Sequence, residues 1–219
     1  MKLLITRPEP QATQWVEQLQ GAGLDAAALP LIAIEGPRVP EAVQRCWQTL
    51  ASVRLVMFVS PAAAQWFFDL RPAEIKWPNH TLAAAPGPGT ARSVIQAGAA
   101  AGLPPSAVMS PREDAPQFDS ETLWPLLASM DWQGQSVVIV SGGDAQQTRG
   151  RAWLSEQWRA CGATVNAVLT YQRMPASWSA KQQQLAQAAL LHPDQYAWLF
   201  SSSEAVDNLV SRSPTDTSW

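Results

Sequence analysis

Short apolar runs alternate with longer segments of helical period along this chain, and that alternation restricts it to folds in which strands and helices take turns. The runs 3–6, 26–34, 55–59, 82–85, 137–140, 165–171 and 197–200 read as strands, nearly all followed at once by Pro, Ser or a charged residue. Between them Trp15 with Leu19, Val43 with Trp47 and Leu50, and Leu154 with Trp158 and Cys161 recur at three or four residues, so each set shares a helix face. The expectation is an α/β protein with mostly parallel sheets, the helices serving as crossovers.

Two places interrupt this rhythm. Glu35-Gly-Pro-Arg-Val-Pro40 sets two prolines and a glycine just after a strand, and Tyr171-Gln-Arg-Met-Pro175 again follows a strand with proline. Both read as crossings between domains, and 219 residues suffice for two small domains. A chain that leaves at the first crossing and returns at the second makes 36–172 an inserted domain. Residues 1–35 and 173–219 then form the other, discontinuous one. An internal echo agrees: Leu55-Val-Met-Phe-Val-Ser-Pro-Ala-Ala-Ala64 aligns with Ala197-Trp-Leu-Phe-Ser-Ser-Ser-Glu-Ala-Val206, each a strand, a Phe, one residue, a Ser and a helix.

Composition excludes several classes of function. A hydrophobic content of 47% supplies proper cores, while a net charge of −3 with scattered Lys and Arg offers no surface for a phosphate backbone, so nucleic acid is not an expected partner. The apolar start is too short for a signal-peptide core and no twenty-residue apolar span follows, so no membrane is expected and the location is read as cytoplasmic. Cys46 and Cys161 stand far apart and read as buried structural thiols, and His80 and His192 are isolated loop residues. No metal or cofactor is implied. The eleven tryptophans, among them Trp15, Trp47, Trp153 and Trp158 on helices, read as core filling.

In open α/β sheets ligands bind beyond the carboxyl ends of strands, where helix N-termini present unpaired N–H groups. Ser60, Thr90, Ser120 and Ser202 fall at such helix entrances, where the plain reading is capping and the functional one is anion binding. In Ala85-Pro-Gly-Pro-Gly-Thr-Ala91, Gly89 would let a ligand approach the backbone beside the Thr90 hydroxyl. It lacks the lysine of a P-loop and the three-glycine spacing of a dinucleotide turn. Ser141-Gly-Gly-Asp-Ala-Gln-Gln-Thr-Arg-Gly-Arg151 is a second polar loop, whose Arg149 and Arg151 suit carboxylates, as does Arg7 just past the first strand. Tyr171 closes a strand at the second crossing, with Arg173 on the same face by period-two alternation. It either covers a core edge or hangs into a cleft where its phenol could donate a proton.

Taken in order, the motifs resemble the uroporphyrinogen-III synthases along nearly the whole chain. Leu4-Ile-Thr-Arg-Pro8 and Leu29-Pro-Leu-Ile32 are similar to that family's first strand–helix–strand unit, and Phe58-Val-Ser-Pro61 to its Phe-Thr-Ser strand end, with Val59 in place of Thr. Gly87-Pro-Gly-Thr-Ala91 is similar to its Gly-x-x-Thr-Ala turn, and Ser120-Glu-Thr-Leu123 to its Ser-Glu-x-Leu helix start. Gly150-Arg-Ala-Trp-Leu154, Ala160-Cys-Gly-Ala-Thr-Val165, Thr170-Tyr-Gln-Arg173 and Phe200-Ser-Ser202 with Val206 complete the series. Ser141 departs from the arginine usual before the glycine loop.

The resemblance implies two similar parallel-sheet α/β domains joined by a two-stranded linker, with a cofactor-free active site in the cleft between them. It implies hydroxymethylbilane as substrate, cyclised to uroporphyrinogen III with loss of water and inversion of ring D. Tyr171 would assist departure of the hydroxyl, while Ser60, Gly89, Thr90, Ser120, Ser202 and Arg7 would bind carboxylates or hold ring D. A monomer is expected, with transient contact to hydroxymethylbilane synthase. The rival expectation is a catalytically inactive, synthase-like module that binds a small anion or a tetrapyrrole. Relatives carry a second Gly-x-x-Thr-Ala turn after the second Phe-x-Ser. Ser60 and Thr90 are 90 − 60 = 30 residues apart, so its counterpart would fall roughly near 232, beyond Trp219. The expectation is that domain 1 lacks its C-terminal units and that this chain forms little isomer III.

Overall fold

A computed structural model of the chain describes residues 1–143 and 149–212, apart from the side chains of 149–151. The middle of the Ser141–Arg151 loop, the side chains of Arg149 and Arg151, and the polar tail from 213 lie outside the described residues. The chain divides into two compact units, Met1–Glu35 with Arg173–Trp219 as unit 1 and Gly36–Gln172 as unit 2.

Unit 2 opens with α2 (Pro40–Gln48), which follows α1 (Gln11–Gly21) of unit 1 in chain order. It then alternates β4 (Leu55–Phe58), α3 (Pro61–Asp69), β5 (Leu82–Ala84), α4 (Pro88–Gly98), β6 (Val108–Met109), α5 (Ser120–Leu127), β7 (Ser136–Gly143), α6 (Arg149–Ala160) and β8 (Thr164–Pro175). Local chemistry accounts for the helix starts. Helices α2, α3 and α4 each carry proline in the first turn, where its missing N–H costs no intrahelical bond.

Strands β8-β7-β4-β5-β6 lie in that order and every pairing is parallel. Central β4 is buried at all four positions, as a strand covered on both faces must be. Period-two alternation divides its side chains between two layers. Leu55 and Met57 join Leu123, Leu127, Trp132, Leu154 and Trp158 beneath α5 and α6. Phe58 joins an aromatic cluster of Trp47, Phe67, Phe68 and Trp77.

Unit 1 is built on β1 (Lys2–Ile5), which pairs in parallel with β2 (Ala26–Ala28) on one side and β9 (Tyr196–Leu199) on the other. Helix α7 (Ala180–Leu191) begins with a capping box in which Ser179 and Gln182 satisfy each other's backbone amides. Helix α8 (Ser203–Val210) follows β9. Its core is small: Leu4, Leu29, Ala186 and Ala189 form one cluster, and Leu31, Ile32, Ala205 and Leu209 a second. β3 (Ile32–Glu35) pairs with β8, and the unit boundaries fall at the end of β3 and within β8.

Several expectations are corrected. The run 26–34 is two strands, because Leu29-Pro-Leu31 turns the chain from the β1 pairing to the β8 pairing. Cys161 is exposed just past the end of α6, whereas Cys46 is partly buried and burial pushes its thiol up to about 11. Of the helical tryptophans Trp47 and Trp158 are core, whereas Trp15 lies with its ring 5.0 Å from the Arg7 guanidinium.

Candidate functional site

In unit 2 the crossovers from β4 to β5 and β6 run one way along the sheet, and the crossover from β7 to β8 runs the other. The direction reverses between β4 and β7, and in open α/β sheets the crevice beyond that point is where ligands sit. Ser60 follows β4 and the pair Gly142-Gly143 ends β7, so both border this crevice.

Ser60 caps α3: its backbone is extended and its Oγ accepts the Ala63 amide at 3.1 Å. The same oxygen lies 3.3 Å from the Tyr171 hydroxyl, although β7 runs between their strands. A bulge makes this reach possible. Ser141 pairs with Leu169 and Gly142 with Tyr171, so Thr170 is an extra residue, and Leu169 and Tyr171 oppose consecutive positions of β7. Their exposures differ accordingly, 52% for Leu169 against 6% for Tyr171. The Thr170 hydroxyl bonds the carbonyls of Ala63 and Ser141, each at 3.3 Å, which fastens the bulge to α3 and β7. The Tyr171 ring is enclosed, and its hydroxyl meets the Ser60 oxygen.

The other candidates of unit 2 share this carboxyl edge at greater remove from the switch point. Thr90 lies in the first turn of α4 rather than at its cap, which is Gly87. Gly89 is exposed and a Cβ there would meet nothing within 4 Å, so it faces open space. Gly87 is the sterically required glycine, since a Cβ there would come within 2.9 Å of Phe118. Ser120 is the first residue of α5, and the cap is Asp119, which accepts the Thr122 amide at 2.8 Å. The sequence held the signal, since Asp is at least as good an N-cap as Ser.

The amide and hydroxyl of Thr122 hold the half-buried Asp119 carboxyl below its ordinary value. A depressed folded value means stability present above the unfolded pKa and lost as pH falls through the folded one. Asp119→Asn keeps the cap and should remove this acid-dependent increment. Comparing urea midpoints of both proteins between about pH 7 and about pH 3 checks it, and parallel midpoints at all pH values would contradict it.

Unit 1 offers a similar but poorer edge. Ser202 caps α8 with φ −161° and ψ 142°, close to Ser60 at −160° and 161°, but its side chain makes no cap bond. Arg7, just past β1, donates to Gln11 Oε1 at 3.0 Å. Arg173 does not stand free beside Tyr171: its Nε bonds Glu204 Oε2 at 2.6 Å in a partly buried ion pair. Among the described residues no group of three or more His, Cys, Asp or Glu could hold a metal ion, and no helix is long and apolar enough to cross a membrane.

The family model described as uroporphyrinogen-III synthase HemD matches residues 13–219. The chain belongs to the uroporphyrinogen-III synthase family. The fold agrees with that membership. A selenomethionine mutant of uroporphyrinogen III synthase from Thermus thermophilus is similar with a TM-score of 0.59 at 17% identity, over 96% of this chain and 76% of that one. The wild-type Thermus enzyme in another crystal form has a TM-score of 0.49 at 16% identity, with coverages of 96% and 76%. No curated protein sequence matches the chain. At this identity the structural likeness speaks for the α/β fold with parallel sheets alone, and the family match carries the identification.

Proposed function

We propose that this member of the uroporphyrinogen-III synthase family cyclises hydroxymethylbilane to uroporphyrinogen III, with Tyr171 as proton donor to the departing hydroxyl. The observation that carries the reading is the Tyr171–Ser60 hydroxyl pair at the switch point of a parallel sheet. A phenol in an enclosed site makes stronger hydrogen bonds than one in water, and it is a neutral donor that acid-sensitive pyrroles tolerate. Loss of the hydroxyl as water leaves an electrophilic azafulvene. The substituted carbon of ring D attacks it, the spiro intermediate reopens, and closure at the other carbon inverts the ring. The proton lent by the phenol is returned when the closed macrocycle loses one.

The same bilane closes unaided to the uninverted isomer, so the protein must above all hold geometry. Ser60, Thr90 and Ser120, with the open backbone at Gly89, would take acetate and propionate arms at the edge of unit 2. Ser202 and Arg7 would do so at the edge of unit 1. The working form is read as a cytoplasmic monomer that meets hydroxymethylbilane synthase transiently. Incubation with hydroxymethylbilane and separation of the product isomers tests the reading. Isomer III identifies an enzyme, whereas tight binding with only isomer I at the spontaneous rate identifies the inactive module.

A further inference from the structure

We propose that Gly142 is a positioning residue for the reaction, because its missing side chain is the gap through which the Tyr171 phenol crosses β7 to reach Ser60. The inference rests on the reading of Tyr171 as proton donor. Gly142 is paired in register with Tyr171, and the bulge at Thr170 turns the tyrosine toward that position. A Cβ at 142 would overlap the ring of Tyr171 and stand 2.7 Å from its hydroxyl. Space alone demands glycine here, since the described residues with positive φ are Gly23, Gly102, Gly134 and Gly162 and not Gly142. Neighbouring Gly143 is different: a Cβ there would meet no atom closer than 3.4 Å. Ser60 sits on the far side of β7 from Tyr171, so the phenol either passes over Gly142 or loses its partner.

Gly142→Ala should displace the ring, break the Ser60 bond and lower kcat for isomer III on the order of 10²-fold with KM little changed, the usual consequence of a misplaced catalytic group. Gly143→Ala should leave the Tyr171 ring in place, since ordinary van der Waals contact asks little of the neighbours. A merely structural cost is separated by a double-mutant cycle. On a Tyr171→Phe background Gly142→Ala should lower kcat no further, because the group it misplaces is already gone. The chain has only two tyrosines, Tyr171 and Tyr196, so ¹³Cζ-tyrosine labelling gives two resonances, assigned with Tyr196→Phe. The Tyr171 resonance should move in Gly142→Ala and in Ser60→Ala and stay in Gly143→Ala.

An unmoved resonance with wild-type kcat in Gly142→Ala overturns the proposal, as does an equal loss of kcat with and without the Tyr171 hydroxyl. Full activity of Tyr171→Phe sinks the proton-donor reading instead, a separate outcome that leaves the resonance shift to judge the placement. Should Gly142→Ala not fold, Gly142→Ala/Tyr171→Ala decides. Removing the ring must restore folding, and an unfolded double variant rejects the contact.

Discussion

Tyr171→Phe should reduce kcat for isomer III on the order of 10²-fold, the scale of a lost general acid. The ring and its packing over Gly142 survive the substitution, so the fold should too. At 3.3 Å the bond to Ser60 is long, and a net hydrogen bond contributes only about 1 kcal/mol. KM should change little if the phenol acts in the transition state rather than in binding. Steady-state kinetics with product isomers resolved, beside a urea melt, measure all three quantities. A variant as active as the parent would show that the pair at the switch point has another purpose.

The second large effect concerns stability. Trp47 is 1% exposed, stacks on Phe67 with centroids 4.7 Å apart and meets Phe68 and Trp77 edge-on at 5.5 and 5.9 Å. Its indole N–H donates to the Phe67 carbonyl at 2.9 Å, so the ring is fastened as well as buried. Trp47→Ala removes the centre of the layer that covers Phe58, and close-packed interiors relax only in part around such a hole. The expected loss is about 3–5 kcal/mol, a large share of the roughly 5–15 kcal/mol that domains possess. Urea unfolding followed by circular dichroism should show the midpoint fall steeply. A loss below about 1 kcal/mol would mean that α2 is not part of the cooperative core.

What was legible in the sequence is what local chemistry controls. Strand β4 and its helix, and β9 with its own, were readable because a serine and, in the first, a proline punctuate the turn within a few residues. The α/β class followed from the alternation, and the parallel pairings from the helices between strands. Features that depend on distant partners were not legible. Nothing in Val165–Tyr171 announces the bulge at Thr170, which exists because its hydroxyl has carbonyls of α3 and β7 to bond. Gly142 looked like loop punctuation, and only the ring of Tyr171, 171 − 142 = 29 residues on, shows what its missing side chain does. Trp77 and Trp132 lie outside the periodic helices and are nonetheless core. The capping reading of Ser120 was off by one residue, the usual margin at helix ends.

Whether this chain catalyses the cyclisation is decided by the isomer composition of the product formed from hydroxymethylbilane at increasing concentrations of it. Isomer III should appear at a rate proportional to protein and saturable in bilane, displacing the isomer I of the spontaneous reaction. Product that stays isomer I at every protein concentration, formed at the rate of the protein-free control, would contradict it.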